Sequence, residues 1–548
     1  MDAAECIAVV GAGPVGKSAA LLLAAYGTPV VLIERRTTPS DEPKAISIDD
    51  EALRAYQTAG VIERILPIIV PGLGTKYFDR DSAPLFLAGA GQSGRFGYPY
   101  KNPFAQPDLE RVLHEAVEAH PLVRTIFGSE VVTLSQNGGG VELGLRSSAG
   151  RESTQRAAYV VGADGGRSVV RGLTGIRMYG RSRPENWIVI DTLGDPHTER
   201  YGLHYGTPGR PHVIVPGLGD RCRYEFRLLE GEGEPGEPPS HEFIAEILSP
   251  YRTIAPTEIE RAVVYTFNSL NAETYQSGRA FLAGDAAHMM PPFAGQGLNS
   301  GIRDAMNLCW KLAGVFHGEL SERVLESYSA ERRTHAGAMV RLSDRLGTIV
   351  MTPSERVASH RDRLVRDALE DPEKRAWFEG MKYRPLGRYT AGLVAGDHPI
   401  TGTQLNQPKV FDAVAGTIGL LDERLGHGWA IVGVDVTAEH WIPVTALAER
   451  WGLRRVHAQL DDTMPHGLDV DVLAIDVDGT LEAALTQVSG GGRFVLVRPD
   501  RFVAAVWEAT TDVPIFHAEL ASWFGVDDAE HHTGDIAHNT RSRAAGSA

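Results

Sequence analysis

The sequence predicts an α/β protein with an α+β insert: a Rossmann-like nucleotide-binding unit, interrupted by a mostly antiparallel sheet and followed by a separate C-terminal unit. Three observations predict it. The chain opens with a strand–helix–strand pattern around Gly11-Ala12-Gly13-Pro14-Val15-Gly16. From about Arg177 to Val264 the texture changes to short alternating apolar runs split by Gly and Pro. After a Gly/Pro-rich stretch from Gly396 to Pro408, strands and helices alternate once more. At about 150 residues per domain, 548 residues leave room for three or four such units.

Composition narrows the class. Hydrophobic residues at 43% and charged residues at 23% exclude a disordered chain, a collagen-like repeat and a small disulfide scaffold. With 54 basic and 70 acidic residues the net charge is −16, which repels phosphate backbones and anionic lipid. Neither nucleic acid nor a membrane is therefore an expected partner. Cys6, Cys222 and Cys309 are widely separated, fit a reducing compartment and form no Cys-x-x-Cys site. The apolar run Ala19 to Ile33 is broken by Gly27 and Pro29 and is too short to span a bilayer. Met1 to Glu5 carry no basic n-region or cleavage site, so the expectation is a cytoplasmic protein.

The elements follow in order. Cys6 to Val10 is β-rich, an Ala/Leu-rich helix runs to Tyr26, Gly27 stops it, and Pro29 to Ile33 is a second buried strand ending at Glu34. Glu51 to Ala59 and Leu109 to Ala119 have helical periodicity. Val131 to Leu134 and Val141 to Leu145 bracket Asn137-Gly138-Gly139-Gly140, a hairpin signal. Within the insert, His212 to Val215 and Arg223 to Leu228 alternate as strands. Helical spacing returns from Asn299 to about Gly380. Trp429 to Val434, Val472 to Ile475 and Phe494 to Arg498 are strands of the last unit. Residues 526–548, including His531-His532, have no periodicity and are expected to be a disordered tail; no metal site is expected there.

Three motifs carry chemistry. Gly11-x-Gly13-x-x-Gly16 permits a tight turn, close approach of backbone to a pyrophosphate, and helix-on-strand packing, with the helix N-terminus aimed at the phosphates. Glu34, eighteen residues beyond Gly16, is placed for ribose hydroxyls, and its charge disfavours a 2′-phosphate at this site. The motif alone does not separate FAD from NAD. Gly278 to His288 ends a buried strand in Gly284-Asp285, then passes Pro291-Pro292 to Gly295-Gln296-Gly297-Leu298-Asn299 before a long helix. Such a carboxylate can accept hydrogen bonds from a sugar-like chain and the helix start can face an anionic ring edge; an ordinary strand–turn–helix fits local chemistry equally. Asp164-Gly165-Gly166 after Tyr159 to Gly162 is by itself a common turn.

Together, in this order and spacing, the three motifs resemble the single-component (class A) FAD-dependent aromatic hydroxylases over about residues 6–395. Gln106-Pro107-Asp108-Leu109-Glu110 matches that family's Gln-x-x-Leu-Glu. Ile48 to Arg54, Tyr224-Glu225-Phe226 and Gln407 to Val410 look like the 3-(3-hydroxyphenyl)propionate hydroxylase and phenol hydroxylase-like members. One departure is Lys44, where relatives usually carry arginine; lysine keeps the charge and loses the bidentate fork. The resemblance implies an FAD-binding domain in two parts, 1–176 and 265–395, a substrate-binding sheet at 177–264, and a thioredoxin-like domain at 396–525. Val497-Arg498-Pro499-Asp500-Arg501-Phe502-Val503 is the best-matching strand edge of that last domain, which has no cysteine, since Cys309 is the last in the chain. Thiol–disulfide chemistry is therefore excluded there.

The resemblance also implies residue roles. FAD would be held by Gly11, Gly13, Pro14, Val15, Gly16, Glu34 and Arg35, with Lys44, Gln106, Val131 and Asp164 beside them. Gly284, Asp285, Pro292, Gly295, Gly297, Leu298 and Asn299 would complete its site. NADH or NADPH would visit as a transient co-substrate without a fold of its own. The implied reaction adds one oxygen atom of O₂ to a phenolic ring through a C4a-hydroperoxyflavin. Pro291, Pro292 and Phe293 would flank the reacting oxygen, with Pro292 among the catalytic positions. Tyr205, Tyr224 and His204 on the inserted sheet are candidates for binding or deprotonating the phenol, although such residues more often simply pack. A tailoring oxygenase on a polycyclic natural product shares every cofactor motif, and a flavin-binding protein without turnover is the reading from another class. Expected partners are a small aromatic substrate and O₂, in a monomer or homodimer.

Overall fold

The computed structural model describes residues 5–39, 44–89, 95–197, 199–385, 387–460, 467–510 and 517–524. The expected tail 526–548, with His531-His532, lies outside the described residues. Strand β1 (Ile7–Val10), helix α1 (Pro14–Ala25) and strand β2 (Val30–Ile33) form the opening unit. β1 pairs in parallel with β2 on one side and with Tyr159–Gly162 on the other, which pairs in parallel with Ala280–Leu282. All four strands are buried along their length, as a sheet covered on both faces requires. Their carboxyl ends lead into Gly11, Asp164 and Asp285 respectively for β1, Tyr159–Gly162 and Ala280–Leu282. Parallel pairing is thus what brings three motifs, far apart in sequence, to one edge of one sheet.

The second sheet has eight strands. Met178–Thr192 and Ile259–Ala272 pair antiparallel along most of their length, so the expected insert boundary at Val264 falls inside a strand. No Gly or Pro marks a break within Ile259–Ala272, so composition alone had placed the boundary there. Thr75–Phe78 and Pro84–Ala88, from the first third of the chain, complete the sheet through a parallel pairing of Thr75–Phe78 with Gly202–Tyr205. The expected hairpin is present as Ser129–Asn137 against Gly140–Ser147.

Helices Gly297–Phe316 and Glu326–Ile349 link this body to the C-terminal one. There, Ala430–Val434 and Arg454–Gln459 are parallel and joined by helix Ala438–Trp451. Arg493–Val497 and Val503–Glu508 extend the sheet antiparallel on the other side of Ala430–Val434, the thioredoxin-like order. The segment expected as a strand edge at 497–503 is instead a strand end, a tight turn and a strand start. Arg498 and Asp500 of that turn are buried against the two linking helices. A second buried pair crosses the junction: Arg54 donates to both oxygens of Asp422, at 2.6 Å each. Among the described residues, no helix is long and apolar enough to cross a membrane.

Candidate active site

A cavity of about 460 Å³ runs from the β1 loop to the inner face of the eight-stranded sheet. Its nucleotide end is built by steric fit. Gly11 adopts φ +99°, and a Cβ there would lie 2.5 Å from the Ala163 carbonyl oxygen. A Cβ on Gly16 would lie 1.8 Å from the Gly11 carbonyl oxygen, so Gly16 serves packing and does not face the cavity. A Cβ on Gly13 would meet nothing within 4 Å. Gly13 opens the loop toward the cavity just where α1 begins without a side-chain cap, leaving first-turn amides for an anion. Pro14, Val15 and Arg35 line the same end. Glu34 accepts from the Ala12 amide (2.8 Å) and the Arg36 amide (2.9 Å), which fixes its carboxylate at the loop.

Behind α1, buried Lys17 donates to Glu110 at 2.6 Å and ties the helix Gln106–Ala119 to it. Gln106 at that helix's start accepts from the Lys44 and Ala45 amides at 2.9 and 2.6 Å. Lys44 and Val131 line the same cavity.

The other two motifs close around the middle. Asp164 Oδ2 accepts from the Val169 and Val170 amides, while its Oδ1 is buried with no partner among the described residues. Burial raises this carboxyl above its ordinary value. Arg171 donates to the carbonyls of Gly166 and Ala286, clamping the Asp164 loop to the Gly284-Asp285 turn. Asp285 is exposed to the cavity, where desolvation by the surrounding walls raises its carboxyl and His288 and Lys44 pull it back. Gly284 does not line the cavity. It adopts φ +62° against Val15, and its amide donates to buried Asp304 at 3.0 Å. Asp304 also accepts from His288 (2.7 Å) and Arg332 (2.8 Å).

Pro292, Phe293, Gly295, Gly297 and Leu298 line the cavity, and helix Gly297–Phe316 starts without a side-chain cap. Asn299 and Pro291 do not line it, contrary to expectation. Asn299 is fully buried, accepting from the Asp49 amide and donating to the carbonyls of Ser47 and Gly295. Its role is to hold the loop against strand Ser47–Asp49.

On the sheet, side chains alternate between faces. Tyr77, His204, Val213, Glu225 and Val189 stand opposite one another across five strands, in register. His204, Val213, Glu225 and Val189 line the cavity. Tyr205 and Tyr224, one residue out of phase, belong to the opposite face, which corrects both expectations. Tyr205 stacks on Phe78 and His212, with ring centroids 4.3 and 4.5 Å away. Tyr224 is buried among apolar side chains and donates to Asp195 at 3.2 Å. Burial pushes its phenol well above the usual range. His204 is held neutral, lowered to about 3 by burial and by nearby Lys101.

Glu225 and Lys101 are among the cavity residues that escaped the sequence reading. Glu225 is buried, which raises its carboxyl against the pull of Arg223. A carboxylate between two aromatic residues in an alternating strand was the available signal. Lys101 donates to Thr75 Oγ1 at 3.0 Å and is lowered to about 8 by burial and by Arg384. No local pattern marks it, because its partners come from the first strands of the sheet.

The chain matches the family model described as FAD binding domain over residues 4–343, and the HcaD C-terminal domain over residues 402–521. It is 35% identical over 520 residues to a 3-(3-hydroxy-phenyl)propionate/3-hydroxycinnamic acid hydroxylase of Mycobacterium sp. (strain KMS), covering 91% of this chain and 87% of that protein. To the protein of the same name from Klebsiella pneumoniae (strain 342) it is 34% identical over 511 residues, covering 91% of each. Among solved structures, the flavin-dependent monooxygenase PieE with FAD and substrate superimposes with a TM-score of 0.76 at 22% identity, over 92% of this chain and 96% of that one. Aklavinone-11 hydroxylase with FAD and aklavinone gives 0.74 at 23%, over 96% and 98%. At these identities the likeness to the structures is one of fold.

Proposed function

The chain belongs to the FAD-binding-domain family of aromatic hydroxylases, and within it we propose that this monooxygenase hydroxylates a small phenolic acid of the hydroxyphenylpropionate or hydroxycinnamate kind. The observation that carries this reading is one continuous cavity. It joins the nucleotide loops to an apolar sheet face bearing His204 and Glu225, with Lys101 reaching in from the neighbouring two-stranded ladder.

The residues fit FAD. Gly13 leaves an open cradle at an uncapped helix start, Asp285 faces the cavity, and Asp164 Oδ1 is buried without a partner among the described residues. FAD supplies the redox chemistry when bound: it takes hydride from NADH or NADPH and, once reduced, activates O₂. In the proposed arrangement the α1 amides and Gly13 bind the pyrophosphate. Glu34 retains lone pairs beyond its two amide contacts and accepts from ribose hydroxyls. Asp285 accepts from the ribityl chain. The amides at Gly297 and Leu298, at an uncapped helix start lining the cavity, would stabilise negative charge on the bound flavin.

Pro292 and Phe293 form an apolar wall between this end and the sheet, excluding water from the reacting centre. Val189, Val213, Val215, Tyr265 and Phe267 orient an aromatic ring by contact. Neutral His204 offers a hydrogen bond without a charge. Residence in the cytoplasm accords with three buried free thiols, and the enzyme acts as a monomer or homodimer.

The test is NAD(P)H oxidation by FAD-loaded enzyme with hydroxyphenylpropionate, hydroxycinnamate, simple phenols and polycyclic quinones, with mass detection of added oxygen. Strong stimulation by the hydroxyphenyl acids, with products one oxygen heavier, is expected. Stimulation by polycyclic quinones alone would overturn the small-acid reading.

A further inference from the structure

Lys101 occupies an unusual place. It lies on strand Lys101–Pro103, opposite Asp49 in a two-stranded ladder, yet its side chain reaches the eight-stranded sheet and donates to Thr75 Oγ1 at 3.0 Å. Its Cε lies 4.0 Å from where a Cβ on Gly295 would stand, so the amine sits at the seam between the Pro292–Leu298 loop and the sheet. His204 is its neighbour on the sheet, two residues along the strand from Gly202, the partner of Thr75. Glu225 is two strands further on, about 10 Å at ordinary strand spacing. The wall between these polar ends is apolar. An aromatic ring laid on that wall, close enough to the loop to react, would turn one of its substituents toward Lys101.

We propose that Lys101 is the catalytic residue that holds the ring hydroxyl of the phenolic substrate and takes its proton. The assignment rests on the phenolic-acid reading given above. The step balances simply: the phenol O–H bond breaks, an N–H bond forms on the neutral amine, and a phenolate–ammonium pair results, with no change in oxidation state. Electron density released into the ring favours attack by an electrophilic oxygen at the ortho and para carbons. Burial lowers the amine to about 8, so a fraction of Lys101 is neutral near pH 7 and free to take the proton of a phenol.

The other charged and titratable groups around Lys101 have different partners. Arg384 donates to Tyr100 and to the Ala294 carbonyl. Asp49 is bound by Arg303 and Gln296. Tyr77 and Tyr100 are raised by burial, and Asp50 is raised by burial and by its neighbours Asp49 and Glu51. His204 and Glu225 face the same cavity.

The test uses FAD-loaded enzyme with 3-(3-hydroxyphenyl)propionate and compares wild type, Lys101→Met and Lys101→Arg. The near-ultraviolet difference spectrum of bound substrate reports phenol against phenolate across pH. In the wild type, phenolate is expected to appear with an inflection near pH 8, well below the ionisation of the free phenol, and kcat/KM to rise through the same inflection. Lys101→Met should lose the phenolate signal and about a hundredfold or more in hydroxylation rate. Lys101→Arg keeps a cation that cannot act as base, so the inflection near pH 8 should vanish, which also separates Lys101 from Asp50. A phenolate signal and rate unchanged in Lys101→Met would overturn the assignment alone. Failure of the wild type to bind or oxygenate any phenolic acid would overturn the substrate reading and the assignment together.

Discussion

Arg498 donates through both terminal nitrogens to the two oxygens of Glu331, at 2.7 and 2.8 Å, and both side chains are fully buried. The pair joins the thioredoxin-like sheet to helix Glu326–Ile349. It does not stand alone: Lys311 donates to Glu331 at 2.7 Å, and Arg498 also holds Asp500. Asn307 bonds both carboxylates. Removing one charge strands the others in a water-free junction. Arg498→Met or Glu331→Gln is therefore expected to cost about 3–5 kcal/mol in denaturant unfolding. A loss under about 1 kcal/mol would show that the junction is dispensable.

Acid should act on the fold in two stages. His204 and His335 are lowered to about 3, and His212 to about 4, all by burial. The unfolded chain protonates each near 6.5, so it binds more protons than the folded chain below that pH. Their contribution is complete above about pH 6.5 and is lost as pH falls toward about 4 for His212 and about 3 for His204 and His335. Glu331 is held far below the usual carboxylate range by Arg498 and Lys311. Its contribution is complete above about 4.5 and is lost only as pH falls below that. Unfolding midpoints measured from pH 8 to 4 should decline from about 6.5, and His212→Gln should shallow that decline.

Two glycines of one motif should respond oppositely to alanine. Gly13→Ala adds a methyl that meets no protein atom, so stability should change by less than about 1 kcal/mol. FAD affinity, read by flavin fluorescence titration, should fall about tenfold or more as the methyl enters the cradle. Gly16→Ala drives a methyl against the Gly11 carbonyl and should destabilise by about 1–3 kcal/mol or more.

Tyr224→Phe is expected to leave KM and the pH–rate profile unchanged. The lost hydroxyl bond to Asp195 should cost about 0.5–1.5 kcal/mol in stability. A shift in the pH profile would return Tyr224 to the reaction.

The nucleotide unit was legible because its signals are local: β1, the glycine turn, α1 and β2 are contiguous, and Glu34 closes them. Asp164 and Asp285 were legible only through motif order, since nothing near either residue says that their strands are neighbours. The sheet face was missed by one residue. In Tyr224-Glu225-Phe226 the aromatic side chains draw attention, but period-two alternation gives the cavity to Glu225 and the core to its neighbours. Phase is set by the apolar cluster of Ile190, Ile214 and Ile244, which no local window contains. Lys101 was invisible for the same reason: Thr75 and His204 reach it only through the sheet.

The strand order of the parallel sheet also imposes a timetable on synthesis. β1 and β2 leave the ribosome within the first few dozen residues, but Tyr159–Gly162 and Ala280–Leu282 must follow before the edge that gathers the three motifs exists. Chains emerge N-terminus first, and distant pairings form slowly. The antiparallel insert, nearly complete by Ala272, is made before the last parallel strand arrives to pin its base. The glycine loop is thus among the first parts translated and among the last completed, because the Gly284-Asp285 turn that closes its edge follows only after Ala280–Leu282.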